Sequence, residues 1–264
     1  MLTLCGILLF LLSMSAHELG HAFAMKRNGI GIKHISLLGF GTILYRFRWK
    51  KYFGKVPLSI KAIPLGASVE PQNSKALEGL PYRIGTQVFG AGVLAQLLFC
   101  SVFYIIGSAM QGTLLVGNNP YIIGTLLVLG LFPKYTCHLV MPMGMLFLSL
   151  LLYLILRSPS VAKVLNESGS VVMVAQEIHK HTTSLGELLV YASFVSISIA
   201  VTNMLPLYPL DGGRIFASLF RSSRWSKSTN DMVGGAVRFV TAIPLLILIY
   251  FALKGDILRI WNSF

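Results

Sequence analysis

Residues His17-Glu18-Leu19-Gly20-His21 put two imidazoles and a carboxylate near the end of an otherwise apolar run, Leu2 to Met25. A run of that length crosses a bilayer as a helix. Ionisable side chains at membrane depth are costly and are kept where they do something. On a helix, residues four apart share one face, a turn above one another, so His17 and His21 can reach a single ion. Glu18 is rotated roughly 100° from His17, near enough to touch a water on that ion without binding the ion itself. A zinc-activated water with a carboxylate general base requires this arrangement. Gly20, without a side chain, lets a neighbouring backbone come close.

Two histidines are too few, because a catalytic zinc takes three protein ligands. His34, His138, His179 and His181 remain, together with the carboxylates. His34 lies in a basic loop and His138 opens an apolar run. His179 and His181 fall in a polar stretch expected on the opposite side of the membrane. Asp211 stands within Asn203–Arg214, which reads N-M-L-P-L-Y-P-L-D-G-G-R. Pro206 and Pro209 break a helix, and Gly212-Gly213 permit tight backbone after it. Broken backbone at membrane depth is tolerated where protein or water satisfies it, so this segment can return Asp211 toward the His pair. An Asp at an ordinary turn, capping the next helix, fits the same residues equally well.

The elements that must position these groups follow from composition. The 264 residues are 55% hydrophobic and 12% charged, against roughly 25% charged for a soluble domain. That balance predicts an all-α polytopic membrane protein of about six transmembrane helices. The apolar runs are near Leu2–Met25, Ile84–Met110, Leu114–Phe132, Cys137–Leu156, Leu185–Leu205 and Val237–Leu253. The net charge of +13 reads as basic loops meeting anionic lipid, not as a nucleic-acid surface, because the basic residues flank the spans. Lys26 to Arg83, Lys134, and Arg214 to Lys227 carry those charges, so the positive-inside rule puts segments 26–83, 133–136 and 206–236 in the cytoplasm. The metal motif and Asp211 then lie toward the cytoplasmic side. Cys5, Cys100 and Cys137 sit in or beside apolar runs without a CxxC pair, which predicts packing residues. No repeat or soluble insert is evident; residues 1–264 are expected to form a single membrane-embedded domain, with the first span retained and not cleaved as a signal peptide.

H-E-L-G-H in the first span, with N-x-x-P-x-x-P-L-D-G-G in a later one, resembles the site-2 protease family of intramembrane zinc metalloproteases. The aromatic-Pro-Leu-Asp-Gly-Gly spacing is similar to its sporulation-type branch. Residues 60–69, I-K-A-I-P-L-G-A-S-V, resemble the membrane-associated β-hairpin that follows the first span in regulated-proteolysis members. Residues 90–98, G-A-G-V-L-A-Q-L-L, are similar to the family's A-G-P-x-x-N segment, with Gln96 in place of Asn and Val93 in place of Pro. The resemblance implies that His17, His21 and Asp211 hold one zinc ion and that Glu18 is the base. It implies that Asn203 and Gln96 contact the substrate or the developing oxyanion, and that the location is a bacterial or archaeal cell membrane.

A peptide bond in a membrane helix is shielded by its own hydrogen bonds, so a substrate must unwind before water attacks it. A strand edge supplies replacement bonds, and the segment around Pro64, Leu65 and Gly66 is the expected edge. The expected partners are the lipid bilayer, the transmembrane segment of a single-pass membrane protein and a regulatory membrane partner. The rival reading is a six-span zinc or divalent-metal transporter with His17, His21 and Asp211 as a transit site. The intact Glu18 argues against a catalytically dead scaffold.

Overall fold

The computed structural model describes residues 2–63, 66–73, 76–78, 80–112, 183–221 and 224–261. The expected third and fourth spans, Leu114–Phe132 and Cys137–Leu156, lie outside the described residues, as do Lys134, His138, His179, His181, Pro64 and Leu65. Among the described residues, four helices are long and apolar enough to cross a membrane, and the chain is a multi-pass membrane protein.

The first is α1 (Leu2–Arg27), about 39 Å long at 1.5 Å per residue. After it come β1 (Ile32–Leu38), β2 (Phe40–Arg48), the single turn α2 (Lys50–Phe53), β3 (Pro57–Ile63) and β4 (Ser68–Pro71). Next are α3 (Tyr82–Met110), α4 (Leu185–Asn203), the short α5 (Asp211–Leu219) and α6 (Lys227–Trp261). The two ends of α4 are set differently. At its start the Ser184 hydroxyl accepts from the Glu187 N–H at 3.2 Å and the Glu187 carboxylate accepts from the Ser184 N–H at 3.2 Å, a reciprocal cap. At its other end Pro206 and Pro209 forbid continuation.

Helix α3 packs against both α1 and α4, and glycines set these approaches. A side chain at Gly20 would strike the Ala91 carbonyl and Ala95 of α3, and one at Gly107 would strike the Gly186 carbonyl of α4. Without a hydrophobic drive between helices in lipid, close backbone contact of this kind holds them together. Leu4 and Leu8 on α1, and Phe239 and Leu246 on α6, are left exposed, which suits a lipid-facing surface.

The expected hairpin at 60–69 is instead part of a four-stranded sheet of order β2-β3-β1-β4. Strands β3 and β4 are not neighbours, because β1 lies between them, parallel to β3 and antiparallel to β4. Gly66, just before β4, meets the end of β1, where its carbonyl accepts from the Gly39 N–H at 2.6 Å. Gly66 adopts φ +107° and Gly39 φ +83°, values that side-chain-bearing residues seldom take. The physical reason is the extra strand: β1, whose sequence I-K-H-I-S-L-L shows little strict alternation, buries Ile32 and Ile35 against the bundle and takes the central place. Ile35, Leu58, Phe53, Met25, Val88 and Ile215 form one buried core between the sheet and the basic end of α1. The Ser15 hydroxyl, beside the carbonyls of Leu11 and Leu37, ties the end of β1 to α1 two residues before His17.

Candidate metal centre

His17 and His21 are both buried on the face of α1 turned to α3. They stand roughly 14 and 8 Å along the axis from Lys26, at 1.5 Å per residue. Their rings meet edge to face with centroids 4.6 Å apart. The His21 Nδ1–H donates to the Val88 carbonyl at 2.7 Å, and the His17 Nδ1–H donates to Gln96 Oε1 at 3.0 Å. In the neutral form, which has one N–H, these two bonds select the tautomer whose Nε2 lone pair is open to a ligand.

Asp211 is brought to them by the break between α4 and α5. Residues 204–210 turn back on themselves through the Leu207 N–H to Leu205 carbonyl bond at 2.8 Å and the Leu210 N–H to Leu207 carbonyl bond at 2.9 Å, with a cis Tyr208–Pro209 peptide. The start of α5 lies directly on this turn. A Cβ at Gly212 would strike the Met204 and Leu205 carbonyls, and one at Gly213 the backbone of Leu207 and Tyr208. The Asp-Gly-Gly sequence therefore follows from packing, with the carboxylate at the positive end of α5.

Asp211 Oδ2 lies 2.9 Å from His17 Nε2 and 3.2 Å from His21 Nε2, and the two Nε2 atoms are 2.9 Å apart. Oδ2 is buried and makes no hydrogen bond. Two imidazole nitrogens and a carboxylate oxygen thus converge within 3.2 Å of one another, a cluster of electron pairs that only a shared positive charge, a proton or a metal ion, can hold together. Ligands ~2.0–2.1 Å from a tetrahedral zinc stand roughly 3.3 Å apart, close to these spacings, and two imidazoles with a carboxylate are a zinc donor set. Among the described residues, His17, His21 and Asp211 form the one such group of metal-binding side chains.

Glu18 is half-buried and close enough to feel the charges of His21, His17, Asp211 and Arg214. Asn203, the last residue of α4, is half-buried at the head of the turn that delivers Asp211. Gly66 is at the end of β1, tied to Gly39. Gln96 departs from the expected substrate contact. It is fully buried, and its amide is engaged on both sides, accepting from His17 and donating to Ser13 Oγ at 3.2 Å. It stands behind the imidazole, on the side away from Nε2. Gly92 was missed by sequence reasoning: a Cβ there would strike the His21 ring and His17 Nε2. The signal available was the Gly90-Ala91-Gly92 run of small residues facing a helix that carries two imidazoles.

The sequence profile of Peptidase family M50 matches residues 5–252. Over 129 residues the chain is 30% identical to a candidate zinc metalloprotease of Nostoc sp. (strain PCC 7120), a stretch covering 45% of this chain and 33% of that relative. The chain thus spans about a third of that relative's length. The family match runs from the first membrane helix, through the His pair and Asp211, into α6, and this chain belongs to peptidase family M50, the site-2 protease family.

Proposed function

We propose that this chain is an intramembrane zinc metalloprotease that hydrolyses a peptide bond within or next to the transmembrane segment of single-pass membrane proteins, from the cytoplasmic side. The observation that carries the reading is the convergence of His17 Nε2 and His21 Nε2, on a membrane-spanning helix, with the Asp211 carboxylate within 3.2 Å. His17, His21 and Asp211 hold one zinc ion. When bound, zinc supplies Lewis-acid chemistry, acidifying a water to a pKa of roughly 7 and polarising a carbonyl. Glu18 takes the proton of the attacking water and passes it to the leaving amine. Gln96 and Val88 hold the two imidazoles in the tautomer that leaves Nε2 free. Asn203, beside the Asp211 turn, is placed to meet the substrate backbone.

The unwound peptide adds to a sheet edge. Of the segment 60–69, residues 60–63 belong to an interior strand, so the available edge is that of β4, which also contacts α1. A metal-transit site, the other reading open to the sequence, gains nothing from membership of a peptidase family. The test is Glu18→Gln in purified full-length protein with transmembrane peptides analysed by mass spectrometry. Retained zinc with cleavage lost by at least about a hundredfold is expected, since a general base contributes roughly 10²–10⁴. Turnover within a few-fold of wild type removes Glu18 as the base.

A further inference from the structure

Beside the metal centre lies a cavity of about 260 Å³, bounded by the residues after β4, by α5 and by α6. Arg214, Arg221 and Arg238 line it, with Glu78 the one carboxylate among its lining residues. Glu78 is already held by Arg238 at 3.1 Å, and Arg221 is held by Asp231 at 3.5 Å. Arg214 has no carboxylate within 4 Å among the described residues; its Nε–H donates to the Pro209 carbonyl at 3.1 Å. A guanidinium has five N–H donors, so most of its hydrogen-bonding capacity is left for a ligand.

The position of the cavity says what that ligand is. The Arg214 guanidinium lies 5.4 Å from the Phe89 ring centre, and that ring lies 6.3 Å from the His21 ring. One aromatic ring therefore separates the cavity from the metal centre, and at ~3.3 Å per extended residue the gap spans about three to four residues of peptide. On its other side the cavity is bounded by Val69 of β4, which among the described residues is an edge strand able to take up a peptide. An added strand turns every second side chain toward one face. The volume is below the roughly 300–1,000 Å³ of small-molecule sites and suits one long side chain with water.

We propose that this cavity is a specificity subsite that takes the carboxylate of an Asp or Glu in the substrate, within about three to four residues of the cleaved bond, with Arg214 as its principal partner. The inference rests on the protease reading and adds to it a class of substrate: membrane proteins acidic next to the scissile segment. Arg221 and Arg238 contribute positive charge while pinned by their own carboxylates, which keeps the cavity open and cationic.

The experiment uses full-length Glu18→Gln protein in detergent and fluorescent Leu-Ala-Gly transmembrane peptides of one sequence, with a single Glu, Gln or Lys stepped through the flanking positions. A charge-assisted hydrogen bond is worth roughly a 10- to 100-fold change in Kd. The expected result is a window of adjacent positions at which Glu binds at least about tenfold tighter than Gln, and Lys weaker than both. That preference should vanish in Arg214→Gln, survive in Arg214→Lys and invert toward Lys in Arg214→Glu. Zinc content measured on each variant reports whether the fold and the metal centre are intact. Equal affinities for the three peptide sets, or no binding by any, overturn the subsite. An Arg214→Gln variant that loses retention of phosphatidylglycerol but not the peptide preference assigns the cavity to a lipid phosphate and overturns it as well. Wild-type protein and the same peptides separate the two readings: acid-dependent binding without cleavage sinks the protease and keeps the subsite, whereas cleavage indifferent to charge does the reverse.

Discussion

Replacing Gln96 by Leu removes the acceptor at 3.0 Å from His17 Nδ1 and leaves the helix packing nearly unchanged, because the two side chains are close in volume. The buried N–H of His17 is then unsatisfied, and with no exposed surface at position 96 bulk water cannot replace the amide. The imidazole is left free to rotate or to move its proton to Nε2, and the second change deletes a metal ligand. Outer partners of metal-bound imidazoles are worth roughly 10–100-fold in affinity, which is about 1.4–2.7 kcal/mol. Gln96→Leu is therefore expected to weaken zinc binding by 10- to 100-fold by this reckoning. Gln96→Glu, with a stronger acceptor at the same reach, is expected to restore affinity to within a few-fold of wild type. The assay is competition with a chromophoric chelator on full-length protein carrying Glu18→Gln, so that proteolysis does not enter. A mere packing role would lower thermal stability in both variants and leave the zinc Kd alone. An unchanged Kd in Gln96→Leu would refute the reasoning.

Other consequences are sharper in direction than in size. Asp211→Asn should lower zinc to well under one ion per chain after dialysis; full occupancy by elemental analysis takes Asp211 out of the ligand set. Gly92→Ala puts a methyl group against both imidazoles, so overpacking of roughly 1–3 kcal/mol should weaken zinc by about tenfold or more while the protein still folds, and an unaltered zinc titration would contradict it. Gly20→Val drives side-chain atoms into the Ala91 carbonyl and Ala95; a drop in thermal midpoint is expected from the same overpacking, and a midpoint at the wild-type value would show that α1 and α3 can separate at no cost.

The parts of the centre legible in the sequence are those whose spacing is local. His17, Glu18 and His21 lie within one and a half turns of a helix, and helical geometry alone puts both imidazoles on one face. Asp211 was legible only as half of an ambiguity, because a carboxylate between prolines and glycines fits a cap as well as a ligand. What decides it is a tertiary fact, the seating of Gly212 and Gly213 on the backbone of Met204, Leu205, Leu207 and Tyr208. Gln96 and Gly92 were not legible in these roles. Their significance depends on the rotation of α3 about its axis, and a helix apolar on nearly every side carries little periodic signal of which face is inward. A small sheet after the first span was expected and is present, but its strand order was not legible, for a related reason. Two strand-like stretches joined by Pro-Leu-Gly look like a hairpin locally, and nothing near them in sequence says that β1, some 25 residues upstream, lies between them.

That insertion makes the two sheet edges unequal, which bears on the proposed addition of a substrate strand. The outer edge of β2 is nine residues long, yet its pairing is irregular near Ile43 and it carries Arg46 and Arg48, features that discourage an added strand. The β4 edge is four residues long, touches α1 and borders the cationic cavity. Pro71 closes it, since proline has no N–H to offer a neighbour. Four residues are about one helical turn. Each backbone group left unpaired in lipid costs several kcal/mol, so under the proposed strand addition an edge that re-pairs about one turn would limit how far a substrate helix unwinds.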